Sequence, residues 1–511
     1  MVIEKAVVQG DTVVDSQKCE FIRVTAAEAP SPSSRSLAEG TILYSDDLVM
    51  LVPGHPDYPL TWSTRKKVCH TMGFGIAAFG ALFSGAVLTP SIPAMMDEFK
   101  VPHIVAVLAM SIYFIGSCLG PMIFAPVSEV YGRKKGVFVP YLLSAMLMCV
   151  VANLNNMPAV VVFRFLSGIF AAAPIVSSGG ALADIWPAHQ RAPAMALYSM
   201  CIIFGSSGSP IFGALLANTG SYGWRWASWL SGLLGITISM FNLIFLSETY
   251  LPTITCGHAR HYRLLTRKWS LHSSHDELRL DLKELIEVHL ARPFKLFLTP
   301  VVLLISLYAS FVYGALFIVI SSVGGLFHRT YDMSTKVSYL PLIANLVGFS
   351  AGCLLNVLSA RRYVRLQEKL GRPPEPEERL ITMMYVGWVM PAGTFLFAWT
   401  MNRNIHWMVP AIGVFFNGLG LACIFQGCLV YTVDAFTKYA ASSIAANAFL
   451  RNVFAGVFPL FARIMFDKLG AGWGGSIIGC IGVVMLPIPW IFFHYGARLR
   501  RITPFKDSMG L

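Results

Sequence analysis

Charge is scarce in this chain. Asp, Glu, Lys and Arg make up 13% of its 511 residues, against about 25% in an ordinary soluble domain. Much of its surface therefore faces something other than water. No G-x-x-x-x-G-K-[ST] stretch offers a phosphate cradle, which argues against ATP as the direct energy source. There is no H-E-x-x-H pair, and His494, the one clear histidine inside an apolar run, has no partner, so a membrane-embedded enzyme is disfavoured. The ten cysteines are scattered without a C-x-x-C pair and read as small buried hydrophobes. No apolar signal region opens the sequence: Met1 to Thr61 is polar, with Pro30, Pro32 and a run of serines, and reads as a disordered cytosolic tail. Finally, no Asp or Glu lies in the middle of any long apolar run.

What is present is hydrophobicity, 55% of residues with a mean hydropathy of +0.61. A membrane helix needs about 20 mostly apolar residues. Twelve such runs are found: Val68–Pro90, His103–Val127, Gly136–Asn153, Pro158–Ala183, Ala194–Ala217 and Trp226–Leu246, then Phe297–Ser322, Val337–Ala360, Ile381–Thr400, Trp407–Thr432, Ile444–Phe466 and Gly474–Gly496. The expected fold is an all-α polytopic membrane protein, with twelve transmembrane helices in two six-helix halves around a central cavity. The span count excludes a seven-span receptor. The divisions are a tail at 1–67, a first half at 68–247, a central loop at 248–296, a second half at 297–496 and a tail at 497–511. Within the central loop, Leu278, Leu282, Leu285 and Ile286 share one helical face, so Asp276–Leu290 reads as an amphipathic helix lying on the inner membrane surface.

The formal net charge of +12 does not point to nucleic acid, because the basic residues sit in short loops between apolar runs. They are distributed unevenly. About 26 Lys and Arg flank the loops on the side of both termini and the central segment, and about six the opposite loops. This bias predicts that both termini are cytosolic. The halves also echo one another: Asp184 closes the fourth span and Asp434 the tenth. Internal repeats of this kind are found in secondary transporters, with the substrate site between the repeats.

Several motifs carry a resemblance. The loop after the second span reads Ala125-Pro126-Val127-Ser128-Glu129-Val130-Tyr131-Gly132-Arg133-Lys134-Lys135, and the fourth span holds Arg164-Phe165-Leu166-Ser167-Gly168. Both resemble motifs of the major facilitator superfamily. The equivalent loop of the second half, Gly352 to Arg362, reads as a decayed copy with Asn356 at the acid position. The fifth span holds Gly205-Ser206-Ser207-Gly208-Ser209-Pro210-Ile211-Phe212-Gly213, similar to the Gly-Pro signature of drug:proton antiporters. Trp224-Arg225-Trp226, Ser247-Glu248-Thr249-Tyr250-Leu251-Pro252 and Tyr58-Pro59-Leu60-Thr61-Trp62-Ser63, with Tyr431 to Phe436 leading to Arg451-Asn452-Val453-Phe454, look like the fungal twelve-span multidrug and polyamine antiporters.

The resemblance implies a proton-coupled secondary transporter that exports a small amphipathic drug, toxin or secondary metabolite by alternating access. It needs no cofactor beyond the proton gradient, is monomeric, and sits in the plasma membrane, with the vacuolar membrane as the alternative. A polyamine exporter is the second possibility, though polyamines are cations and no mid-span carboxylate is there to receive them. Gating and coupling are expected of Glu129, Gly132, Arg133, Lys134, Arg164, Asp184, Gly205, Pro210, Gly213 and Asp434. An Arg inside a span costs about 2.5–3.5 kcal/mol on insertion scales, so Arg164 faces either a water-filled cavity or backbone carbonyls. Ser178, Asn345, Asn417, Gln426 and Asn447 are the polar candidates for the cavity, and Phe83, Tyr308 and Tyr313 the aromatic ones. Arg451, about nine residues into the eleventh span with no carboxylate at its depth, is expected to face the central cavity.

Overall fold

The computed structural model describes residues 35–38, 41–43, 47–51, 55–187, 190–217, 223–276, 299–370, 376–435 and 440–502. Apolar runs this long have no water to satisfy their backbone, so each closes its own hydrogen bonds as a helix. Among the described residues, nine stretches form membrane-length helical segments: Thr64–Phe99, Arg133–Val151, Met157–Ile185, Arg191–Ala217, Gly223–Phe245, Pro300–Tyr331, Thr335–Tyr363, Pro376–Thr400 and Met408–Thr432. His103–Ser117 and Gly120–Val130 make one further span, bent by 44°. The last stretch, Ser443–Gly496, has 54 residues, roughly 80 Å at 1.5 Å per residue and too long for one crossing of a ~30 Å core. It is interrupted at Gly470, whose φ of 74° and ψ of 171° are not helical. Divided there, it supplies spans eleven and twelve.

Within each half, glycines set the closest helix approaches. A Cβ at Gly168 would lie 2.0 Å from the Tyr113 carbonyl oxygen, bringing span four against span two; in the second half, a Cβ at Gly348 would lie 2.0 Å from the Phe415 oxygen, bringing span eight against span ten. The same internal symmetry governs the seam. Span eleven meets span two, with Asn452 Nδ2 donating to Ser117 O at 3.2 Å, and span five meets span eight. The seam is also apolar: Ala214 of span five packs in one cluster with Val323, Phe327 and Leu342.

Three elements depart from expectation. Residues of the polar N-terminal stretch form a three-stranded antiparallel sheet, β1 (Arg35–Ala38), β2 (Thr41–Leu43) and β3 (Val49–Leu51), rather than a featureless tail. β3 docks on a helix that opens the central loop, Leu251–Thr266, where Val49 is buried with Ala259 and Leu271. The proposed amphipathic helix after Asp276 lies outside the described residues. Span eight continues as helix to Leu370, so Gly352–Arg362 is not a loop and Asn356 instead donates to the Ala422 carbonyl at 3.1 Å. The final helix runs to Ile502 rather than ending at Gly496.

Candidate functional site: a central cation and two charge pairs

At the centre, Arg451 of span eleven is 7% exposed, and its Nε has no hydrogen-bond partner among the described residues. Its guanidinium carbon lies 5.0 Å from the Tyr313 ring centroid (span seven) and 5.2 Å from that of Phe425 (span ten). Tyr198 of span five is within electrostatic reach, so both halves contribute. Asn447, one helical turn earlier, is buried with its Nδ2 unpartnered among the described residues. The rings continue as a wall: Phe425 stacks on Tyr313 at 6.0 Å, Tyr313 meets Phe317 edge-on at 5.2 Å, and Phe317 meets Phe114 of span two at 4.4 Å.

At the end carrying the basic loops, Arg133 Nε contacts Asp184 Oδ2 at 3.1 Å and Arg133 Nη1 donates to Ser128 Oγ at 2.8 Å. Glu129 lies 3.8 Å from Arg133 Nη2. Glu248 caps span three, accepting from the backbone N–H groups of Arg133 at 2.8 Å and Lys134 at 3.1 Å. Gly132 makes this turn with φ of 88°, and a Cβ there would meet Glu248 Oε2 at 2.4 Å. Tyr250 stacks under Arg133 at 5.0 Å, and burial, with Glu129 nearby, pushes its phenol up to about 12, so the ring stays neutral. The second half has the same device: Arg379 at the start of span nine pairs with Asp434 Oδ2 at 2.9 Å. Arg191 of span five donates to the carbonyls of Ala183 at 3.3 Å and Trp186 at 3.4 Å, and lies within electrostatic range of both Asp184 and Asp434.

A family model described as Major Facilitator Superfamily matches residues 74–459. The chain belongs to the Major Facilitator Superfamily. It is 35% identical to the major facilitator superfamily multidrug transporter FLU1 of Candida albicans, over 89% of this chain and 75% of that one. It is also 35% identical to the efflux pump bik6 of Gibberella fujikuroi, over 88% of this chain and 92% of that one. Among solved structures, one of the proton:xylose symporter XylE superposes with a TM-score of 0.61 at 15% identity, covering 84% of this chain and 97% of that one. At that identity the likeness shows the fold alone. A Major Facilitator chain is a secondary transporter, and its two halves work by alternating access.

The other expected positions divide sharply. Arg164 does not face a cavity. It is fully buried and donates to the carbonyls of Ala109 (2.9 Å), Ser84 (2.7 Å) and Gly85 (2.9 Å), clamping spans one, two and four. Asn417 faces span nine, donating to Thr394 Oγ1 at 3.0 Å inside the second half. Ser178 donates to Pro174 O of its own helix, and Gln426 to Cys353 Sγ at 3.4 Å. Phe83 packs with Phe79 and Phe212 in an apolar cluster of the first half. Apart from Asn417 Oδ1, which is buried without a partner among the described residues, these side chains are satisfied by helix packing, which sequence polarity alone does not distinguish from cavity lining. Tyr308 and Asn345 are buried with polar atoms unpartnered among the described residues. Gly205 and Gly213 seat span five on span one, where a Cβ would come within 2.3 Å of Phe79 O and 2.1 Å of Val87 O. Pro210 leaves the helix continuous; Ser209 Oγ donates at 3.4 Å to the Ser206 carbonyl that the proline cannot use.

Phe425, Tyr198, Arg191 and Arg379 were missed. For Arg379 the signal was its place at the opening of span nine, matching Arg133 at the opening of span three. The Trp224-Arg225 motif is explained by Glu98, which accepts from both side chains. Among the described residues one trio has metal-ligand spacing, His55, Asp57 and His258, whose donor atoms lie within 4.8 Å. Its His258–Asp57 contact at 3.1 Å ties the N-terminal stretch to the Leu251–Thr266 helix.

Proposed function

We propose that this protein is a proton-coupled exporter of small amphipathic organic compounds, with the basic end cytosolic and both termini inside the cell. The observation that carries the reading is the central site, where a buried cation with no carboxylate partner among the described residues and an aromatic wall sit between the halves of a Major Facilitator fold. The multidrug and efflux names of its relatives support the direction of transport. One proton falling through about 100 mV gains roughly 2.3 kcal/mol and one pH unit adds about 1.4. The sum of ~3.7 kcal/mol sustains a several-hundred-fold gradient of a neutral compound. A plasma-membrane location and a monomer are part of the proposal. Inside-out vesicles loaded to an acid interior should accumulate an amphipathic dye, and a protonophore should abolish the accumulation. Equal accumulation with the gradient collapsed refutes proton coupling.

A further inference from the structure

We infer that the preferred substrates are organic anions, in which a carboxylate or similarly delocalised acid group is joined to a flat apolar body. The inference rests on the transport reading above and names the chemistry of its site.

The first observation is the state of Arg451. It is 7% exposed, and no Asp or Glu contacts it among the described residues. Two other guanidinium groups buried among the spans have acceptors. Arg164 has three carbonyl acceptors, and Arg133 has Asp184 and Ser128. Arg191, at the basic end of span five, has an Nε unpartnered among the described residues but donates through Nη2 to the carbonyls of Ala183 and Trp186. Arg451 instead has aromatic faces on Tyr313 and Phe425 and an unpartnered Nε. Ring faces hold a cation in place without using its N–H donors. The planar donor fork is therefore left for an acceptor from outside the chain, and a carboxylate matches that fork with two parallel bonds.

The second observation is what surrounds the fork. Asn447 Nδ2, one turn away, is another buried donor without a partner among the described residues. The Phe425–Tyr313–Phe317–Phe114 wall starts at the guanidinium and crosses from the second half into the first. A flat apolar body lies along such a wall. Arg451 is the only buried charge at this site among the described residues, so an amine-bearing ligand would add a second positive charge beside it. Polyamines are disfavoured on that ground.

The full-length purified protein in nanodiscs tests this with three ligands of one shape: 2-naphthoate, 2-naphthamide and 2-naphthylmethylammonium. Wild type should bind the carboxylate at least about tenfold more tightly than the amide, the factor of one charge-assisted bidentate contact, and the ammonium most weakly. R451Q should bind carboxylate and amide equally, and an unfolding midpoint of the ligand-free variant close to that of wild type shows that it is still folded. R451K should retain a reduced preference for the carboxylate, since it keeps the charge and loses the fork. A wild type that binds the amide or ammonium as tightly as the carboxylate, or that binds no carboxylate, overturns the inference, as does an R451Q protein that still discriminates. Dye export driven by the pH gradient would leave the transport reading standing in any of those cases. Carboxylate preference without gradient-driven movement would remove the transport reading and keep the anion site.

Discussion

Replacing Asp434 by Asn removes a carboxylate that pairs with a cation of its own half and lies within electrostatic range of a second cation across the seam. Within the second half it pairs with Arg379 at 2.9 Å, with side-chain exposures of 28% for Asp434 and 23% for Arg379. At about 3 Å and an effective dielectric of ~20, two unit charges attract by roughly 5 kcal/mol. Desolvation and screening reduce this to about 1–2 kcal/mol for a pair neither exposed nor fully buried. Asp434 also attracts Arg191 of the first half. That attraction exists only while the two halves are close at the basic end. Asp434→Asn should therefore shift the population toward a state open at that end, while Arg379→Gln, which removes only the in-half pair, should shift it less. The expected difference is at least about twofold, corresponding to a cross-seam term of roughly 0.5 kcal/mol. Spin labels at the exposed positions Lys135 and Lys369, with the exposed Cys69 and Cys480 replaced by serine, report the separation by pulsed electron resonance. Identical distance distributions for the two variants, or no change in either, would refute the link across the seam.

Other outcomes follow from the same structure. Tags at either terminus should be protected from protease in intact cells, and exposure of either end reverses the assigned orientation. Gly205→Ala should lower thermal stability by about 1–3 kcal/mol through overpacking against Phe79 O, whereas Gly208→Ala, which meets nothing within 4 Å, should change it little; equal effects contradict the glycine seat. Burial raises the Asp276 carboxyl, but Cys256, the Ser273 N–H and Arg263 outweigh it and hold the pKa below the ordinary value. Because the folded pKa is depressed, its stabilisation is full above about pH 4 and is lost as pH falls through the folded value. Amide protection around Ser273 to Asp276, corrected for intrinsic exchange, should thus be level from pH 8 to 5 and fall below about pH 4, and Asp276→Asn should remove the step.

Much of the architecture was legible because lipid imposes length and hydropathy on every crossing. Span eight was misjudged at its end because Arg361, Arg362 and Arg365 look like loop residues, yet the helix simply continues past them to Leu370. That error hid Arg379 as the partner of Asp434. The site was only partly legible. A mid-span charge with no carboxylate at its depth singled out Arg451, because an uncompensated cation in hydrocarbon is expensive. Neutral polar residues carry no such cost signal: Asn417 and Gln426 find partners on helices that their own sequence does not reveal, and Ser178 turns back to Pro174 of its own helix. Phe425 was invisible for the converse reason, since one phenylalanine in an apolar run resembles any other until the fold places it under a guanidinium.

Proton-coupled export is tested most directly by proton movement in proteoliposomes of the purified protein, with a pH dye sealed inside and no ATP present. Adding a transported compound on the side of the protein's basic end should drive protons out of the lumen across to that side as the compound enters, and a protonophore should erase the difference between lumen and bath. Entry of the compound with no accompanying proton flux would contradict the account.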